Sequence, residues 1–177
     1  MNLEHFISVD IEAAGPIPGE YSMLSLGACS VDNTSQTFLV EFQPINLNAD
    51  PNALKVAGIS LEELQLRGLP AAAAMERFRA WIEETAGSQG TPVFVGFNAP
   101  FDWSFVNYYF HRFLGSNPFG FAGLDIKAFY MGKYGTRWGD TKSSKIAAAL
   151  HLPEQGDHNA LHDAVYQARL FQAMHRE

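Results

Sequence analysis

Residues 5–12 read His5-Phe6-Ile7-Ser8-Val9-Asp10-Ile11-Glu12. Apolar and β-branched side chains dominate until two acids arrive, and Ala14-Gly15-Pro16-Ile17-Pro18-Gly19 then breaks any regular element. A strand is the predicted conformation. Side chains alternate along a strand, so Asp10 and Glu12 share one face while Val9 and Ile11 share the other. Carboxylates two positions apart lie roughly 5–7 Å from each other and repel by about a few kcal/mol near a protein surface. A hard divalent cation converts that repulsion into a ligand set. An isolated Asp-x-Glu is an ordinary polar strand end. This pair closes an apolar strand just ahead of a Gly/Pro loop, where sheets deliver functional groups.

Outward from this strand, residues 22–31 and 36–42 are predicted as two more, with Asp32-Asn33 as the turn between them. The three form an antiparallel meander. Short helices are predicted over 52–57 and 60–66, the second opened by Ser60 and Glu63 as a capping box. A longer helix over 70–86 starts at Pro70 and spaces Met75, Phe78 and Ile82 on one face. Pro92-Val93-Phe94-Val95-Gly96 is a short, continuously apolar strand of the buried kind. An aromatic-rich helix follows over 99–114, then an extended segment at 122–126 and a helix to about residue 134. Helices at 143–150 and 159–175 close the chain. Strands first, then alternating helix and strand, imply an α/β fold: a mixed sheet with helices on its faces.

Composition narrows the class. The 177 residues are 47% hydrophobic and 18% charged, a globular profile, and one domain over 1–177 is expected. No apolar run is long enough for a transmembrane helix, and the N-terminal residues lack the pattern of a signal peptide. A cytoplasmic protein is expected. Cys29, the single cysteine, can form neither an internal disulfide nor a cysteine metal site, and a buried thiol is expected. The net charge of −7 argues against tight duplex binding. Its distribution is uneven, however. Lys127, Lys133, Arg137, Lys142 and Lys145 are interleaved with Tyr130, Tyr134 and Trp138, with Asp140 the one acid among them. A basic, aromatic segment of this kind suits a single strand of nucleic acid.

Two further clusters carry chemistry. In Gly96-Phe97-Asn98-Ala99-Pro100-Phe101-Asp102, a buried strand ends, Asn98 is placed as a helix cap, and Asp102 falls in the first helical turn. Phe101 and Phe105, at i and i+4, are core anchors. In His158-Asn159-Ala160-Leu161-His162-Asp163-Ala164, His158 precedes a helix and Asp163 lies on it, so both can lean toward its N-terminal end. His162, adjacent to Asp163, cannot share its face and is predicted to have no catalytic part.

Asp-x-Glu on a first strand, Asn-x-x-Phe-Asp opening a middle helix and His-x4-Asp opening the last one occur here in order. The set resembles the three motifs of the DnaQ-like 3′→5′ exonuclease superfamily, the DEDDh branch of RNase T and DNA polymerase III epsilon type, over residues 7 to about 171. The resemblance implies a ribonuclease H-like sheet of five or six strands. It implies a catalytic set of Asp10, Glu12, Asp102, His158 and Asp163. Asp10 would bridge two Mg²⁺ (or Mn²⁺) ions, Glu12 and Asp163 would complete one shell, Asp102 would hold the second ion, and His158 would be the general base. Single-stranded DNA or RNA 3′ ends are the implied partners, with no membrane; a homodimer or a polymerase-type partner stays open. Ala13 and Ala14 stand where family members often have Thr or Ser, and Phe97 where a His is common. These positions face the substrate end and groove rather than the metals. The competing expectations are a catalytically silent binding module on the same fold and a hydrolase of small phosphodiesters.

Overall fold

The computed structural model describes residues 3–153 and 156–175. Strands β1 (Leu3–Ala13), β2 (Met23–Ser30), β3 (Thr37–Glu41), β4 (Gly90–Gly96) and β5 (Gly123–Asp125) form one sheet in the order β3-β2-β1-β4-β5. The first three pair antiparallel, the predicted meander, while β4 and β5 join parallel on the other side of β1. The helices are α1 (Pro51–Ala57), α2 (Leu61–Arg67), α3 (Ala71–Ala86), α4 (Pro100–Leu114), α5 (Ile126–Tyr134), α6 (Ser143–Ala149) and α7 (Ala160–His175), with a 3-10 turn at Trp138–Asp140. Among the described residues no helix is long and apolar enough to cross a membrane.

Alternation along β1 divides the molecule. Ile7, Val9 and Ile11 are buried with Phe78 and Ile82 of α3 and Phe105, Val106, Tyr109 and Phe110 of α4. The opposite face carries Phe6, Ser8, Asp10 and Glu12. There α5, α6 and α7 build a second core from Ile126, Ile146, Leu170, Phe171 and Met174. Each buried side chain of this size contributes about 1.5–3 kcal/mol, so both faces are strongly held. Cys29 is buried, and burial pushes its thiol up to about 12, as expected for an inert residue.

Two irregularities place the acids. A register shift between Glu12 and Ala13 bulges the β1–β2 pair at the site end of the sheet, a common device beside functional groups. The Met23 amide there donates to the Tyr109 hydroxyl at 2.7 Å, pinning α4 to the bulge. The second is Gly27, which pairs with Asp10 and so shares its face. A Cβ at residue 27 would lie 2.3 Å from the Ala160 carbonyl carbon and the Leu161 amide nitrogen. Only a residue without a side chain lets the first turn of α7 come down beside Asp10.

Helix starts differ in detail from expectation. Ser60 Oγ accepts from the Glu63 amide, but its hydroxyl donates to Glu62 rather than Glu63. Asn98 is not the cap of α4. It lies at φ 62°, in the left-handed region that Asn tolerates, and the Ala99 amide is satisfied by Asp125 Oδ2 at 2.7 Å. Asp125 Oδ1 caps α5 through Ala128, so one side chain joins two helix starts.

Because the atoms a Cβ at Gly27 would meet are α7 main chain rather than a flexible side chain, Gly27→Ala is expected to cost about 1–3 kcal/mol. Thermal melts should show a Tm lower by about 2–4 °C per kcal/mol lost, and a wild-type Tm would remove the close approach as a constraint.

Candidate active site

All five sequence-predicted residues lie at the C-terminal end of β1. Asp10 and Glu12 arrive from β1 with the alternation expected of them. Asp102 comes from α4 on the other side of the sheet. β4 pairs with β1 only as far as Ser8 and Val95, so the β1 edge is open beyond that point. Asp102 fills the gap: its Oδ1 accepts from the Ile11 amide at 3.0 Å. Asp102, although placed on the first turn of α4, thus substitutes for a missing strand neighbour of β1.

α7 brings the remaining pair. Asn159 caps it, accepting from the Leu161 and His162 amides. That start sets Asp163 on the first turn, facing the sheet. His158 stands just outside at φ 56°, a left-handed conformation uncommon for a residue other than Gly, Asn or Asp. The bend turns its imidazole back toward the acids. One ligand atom each from Glu12, His158 and Asp163 lies within 4.8 Å of the others. His162 points away and pairs with Asp157 at 2.8 Å on the exposed side, consistent with its exclusion.

Gln167, one turn beyond Asp163, was not singled out in the sequence. Its Nε2 donates to Asp10 Oδ1 at 2.5 Å, and its Oε1 accepts from the Phe97 amide at 3.0 Å. The i, i+4 spacing from Asp163 was a visible signal, but glutamines on helices are common and usually exposed. Asp10, Phe97, Ser143, His158, Asp163 and Gln167 line a cleft of about 450 Å³.

The electrostatics are those of acids forced together. Burial raises the Asp10 carboxyl well above its usual range; Asp102, Asp163 and Glu12 raise it further, while the Gln167 hydrogen bond opposes them. Burial, with the charge of Asp163, pushes Glu12 up to about 7. Burial pushes Asp102 up to about 8 against its hydrogen bond from Ile11. Asp163 is raised by burial, and His158 partly counters the shift. Asp163 Oδ1 is also buried without a hydrogen-bond partner among the described residues. An orphaned acceptor, converging carboxylates and a nearby imidazole fit a divalent cation.

A mixed sheet in this order, with its acids at the end of the central strand, is the ribonuclease H-like architecture of DEDDh exonucleases. Comparison with known proteins agrees. The RNase_T exonuclease family matches residues 7–171. The 3′-5′ DNA exonuclease Cap18 of Escherichia coli is 52% identical over 168 residues, covering 95% of this chain and 90% of that protein. Ribonuclease T of Actinobacillus pleuropneumoniae serotype 5b is 27% identical, covering 95% of this chain and 82% of that one. The nuclease domain of 3′hExo, a DEDDh member bound to rAMP, superposes with a TM-score of 0.80 at 16% identity, covering 97% of this chain and 92% of that one. The chain belongs to the exonuclease family, and it is a 3′→5′ exonuclease of the DnaQ-like type. Enzymes of this family use divalent metal ions.

The raised carboxyls make a stability prediction for the metal-free protein. Folded Glu12 and Asp102 hold protons at pH values where the unfolded chain, titrating at about 4, has released them. Their contribution is present below that value and lost as pH rises through about 7 and about 8. In EDTA, Tm should fall as pH rises across this window. Mn²⁺ should reverse the fall at the alkaline end, and a flat profile in both conditions would contradict the clustering.

Proposed function

We propose that this chain removes nucleotides from the 3′ end of single-stranded DNA by a metal-dependent hydrolysis in which His158 is the general base. The observation that carries this is the clustering of Asp10, Glu12, Asp102 and Asp163 from three regions of the chain, with His158 near Glu12 and Asp163, beside a cleft that Asp10, His158 and Asp163 line. DNA is favoured over RNA by the 52% identity to a protein named as a DNA exonuclease.

Glu12 and Asp163, with Asp10, would hold one divalent ion, and Asp10 with Asp102 a second. When bound, such ions activate water, clamp the phosphoryl oxygens and stabilise the departing 3′ oxygen. A ring nitrogen of His158 takes the proton from the attacking water as its oxygen bonds to phosphorus. The P–O3′ bond then breaks and a nucleoside 5′-monophosphate leaves. Charge supports the ion count: four carboxylates bring −4 and two ions bring +4.

The strand would approach over the basic, aromatic segment, with a changed cast. Lys133 Nζ is committed to the Met174 carbonyl and Lys145 to Asp140, so neither is a first choice. Lys127 Nζ lies 4.3 Å from the Trp138 ring centroid and 5.9 Å from that of Phe97, which lines the cleft. Trp138 itself is 55% exposed. Lys127, held by two rings at the cleft mouth, would meet a phosphate while Trp138 stacks a base.

With Mn²⁺ and 5′-labelled single strands, the wild type is expected to give a ladder shortening from the 3′ end, and EDTA should stop it. Asp10→Ala should reduce hydrolysis to background, and His158→Ala should slow it by about 10²–10⁴-fold. No cleavage by the wild type would support a silent binding module, and cleavage of small diesters alone would support a different hydrolase. Strand binding measured in EDTA gives a second test. Replacing Lys127 and Arg137 together by Ala should lower the slope of log affinity against log salt by roughly 1–2; an unchanged slope removes the segment from the path.

A further inference from the structure

Gln167 is 6% exposed, and both ends of its amide are used. The partners are of opposite kinds. A main-chain N–H can only donate, so the amide oxygen must face Phe97 and the amide can lie in one orientation alone. Nε2 must face Asp10 and Oε1 must face Phe97.

Two of the elements joined in this way, α7 and β1, carry acids, and the third, the turn after β4, leads into α4 with Asp102. Gln167 shares its face of α7 with Asp163, four residues earlier. Its nitrogen holds the β1 acid, and its oxygen holds the main chain where β4 passes into the turn before α4, five residues ahead of Asp102. Rotation of Asp10 about its side-chain bonds would break the first hydrogen bond. Withdrawal of α7 would break both.

From this geometry we infer that Gln167 is a positioning residue for the metal centre, fixing the orientation of the Asp10 carboxylate that would hold the ions. The inference rests on the metal-dependent function proposed above. A bracing role for the Phe97 amide alone would explain the oxygen but not the choice of Asp10 as the nitrogen's partner. Groups that orient metal ligands in this way are typically worth about 10–100-fold in affinity or rate.

The test compares Gln167→Leu, Gln167→Glu and Asp10→Ala, with Mn²⁺ affinity measured calorimetrically without substrate and kcat and KM measured on a single-stranded oligonucleotide. Gln167→Leu keeps the bulk and loses both hydrogen bonds. Mn²⁺ affinity should fall by about 10–100-fold and kcat with it, with KM for the oligonucleotide unchanged and part of the rate regained at high Mn²⁺. Gln167→Glu keeps an oxygen for Phe97 but offers Asp10 an acceptor in place of a donor. It should fold like the wild type, and kcat should drop by at least tenfold. That variant decides the matter if the Leu variant does not fold. Wild-type Mn²⁺ affinity and kcat in Gln167→Glu, beside an Asp10→Ala that binds no Mn²⁺, would overturn the positioning role alone. Unchanged Mn²⁺ affinity in Asp10→Ala would instead overturn the metal centre itself.

Discussion

Mutual repulsion among Asp10, Glu12, Asp102 and Asp163 sets the terms on which the rest of the fold operates. Each of the four is shifted upward, chiefly by burial, and for Asp10 and Glu12 the neighbouring acids add to it. Nothing at that end of the sheet would hold them together unaided. The packing on either side of β1 does so, through the aromatic-rich core between the sheet and helices α3 and α4, and through the mixed aliphatic and aromatic core under α7. The absent side chain of Gly27 completes the arrangement, because it admits the α7 backbone to a distance that a Cβ would forbid. Stability made elsewhere offsets strain stored at the site.

Rigid elements and loop divide the work. The acids stand on a central strand and on the first turns of two well-buried helices, where rotamers are restrained by neighbours. His158 stands on an exposed backbone bend. Ligands for a cation need fixed spacing, because coordination geometry tolerates small errors only. A proton acceptor, the part proposed for His158, has to meet water and substrate, and an exposed position at the cleft suits that need. The net charge of −7 is compatible with membership of a nuclease family: the two divalent ions of the proposed mechanism would add +4 and bring it from −7 to −3, with the change concentrated where a phosphate would lie.

The strands and most helices were legible because their signals are local. The alternation of β1, the apolar run of β4 and the apolar stripe of α3 each follow from backbone geometry over about ten residues. The family, and with it the five candidate site residues, was legible for another reason: three short motifs occur in a fixed order over residues that the exonuclease family matches. Where local rules misled, a distant residue had intervened. Asn98 reads as a cap, yet Asp125 takes the Ala99 amide from 26 positions away. Lys133 reads as free basic surface, yet its Nζ is tied to the Met174 carbonyl, 41 positions away.

By itself the chain determined its element types, the face on which Asp10 and Glu12 stand, and the family to which the motifs belong, since these depend on neighbours in sequence and on residue identity. Tertiary structure alone decided that Gln167 grips Asp10 across 157 positions, that Asp102 completes the open edge of β1, and that Lys127 settles over Trp138. Those contacts depend on how closely whole helices approach the sheet. That approach is governed by side-chain volumes on several elements at once, Gly27 foremost among them, and no window along the chain contains them all.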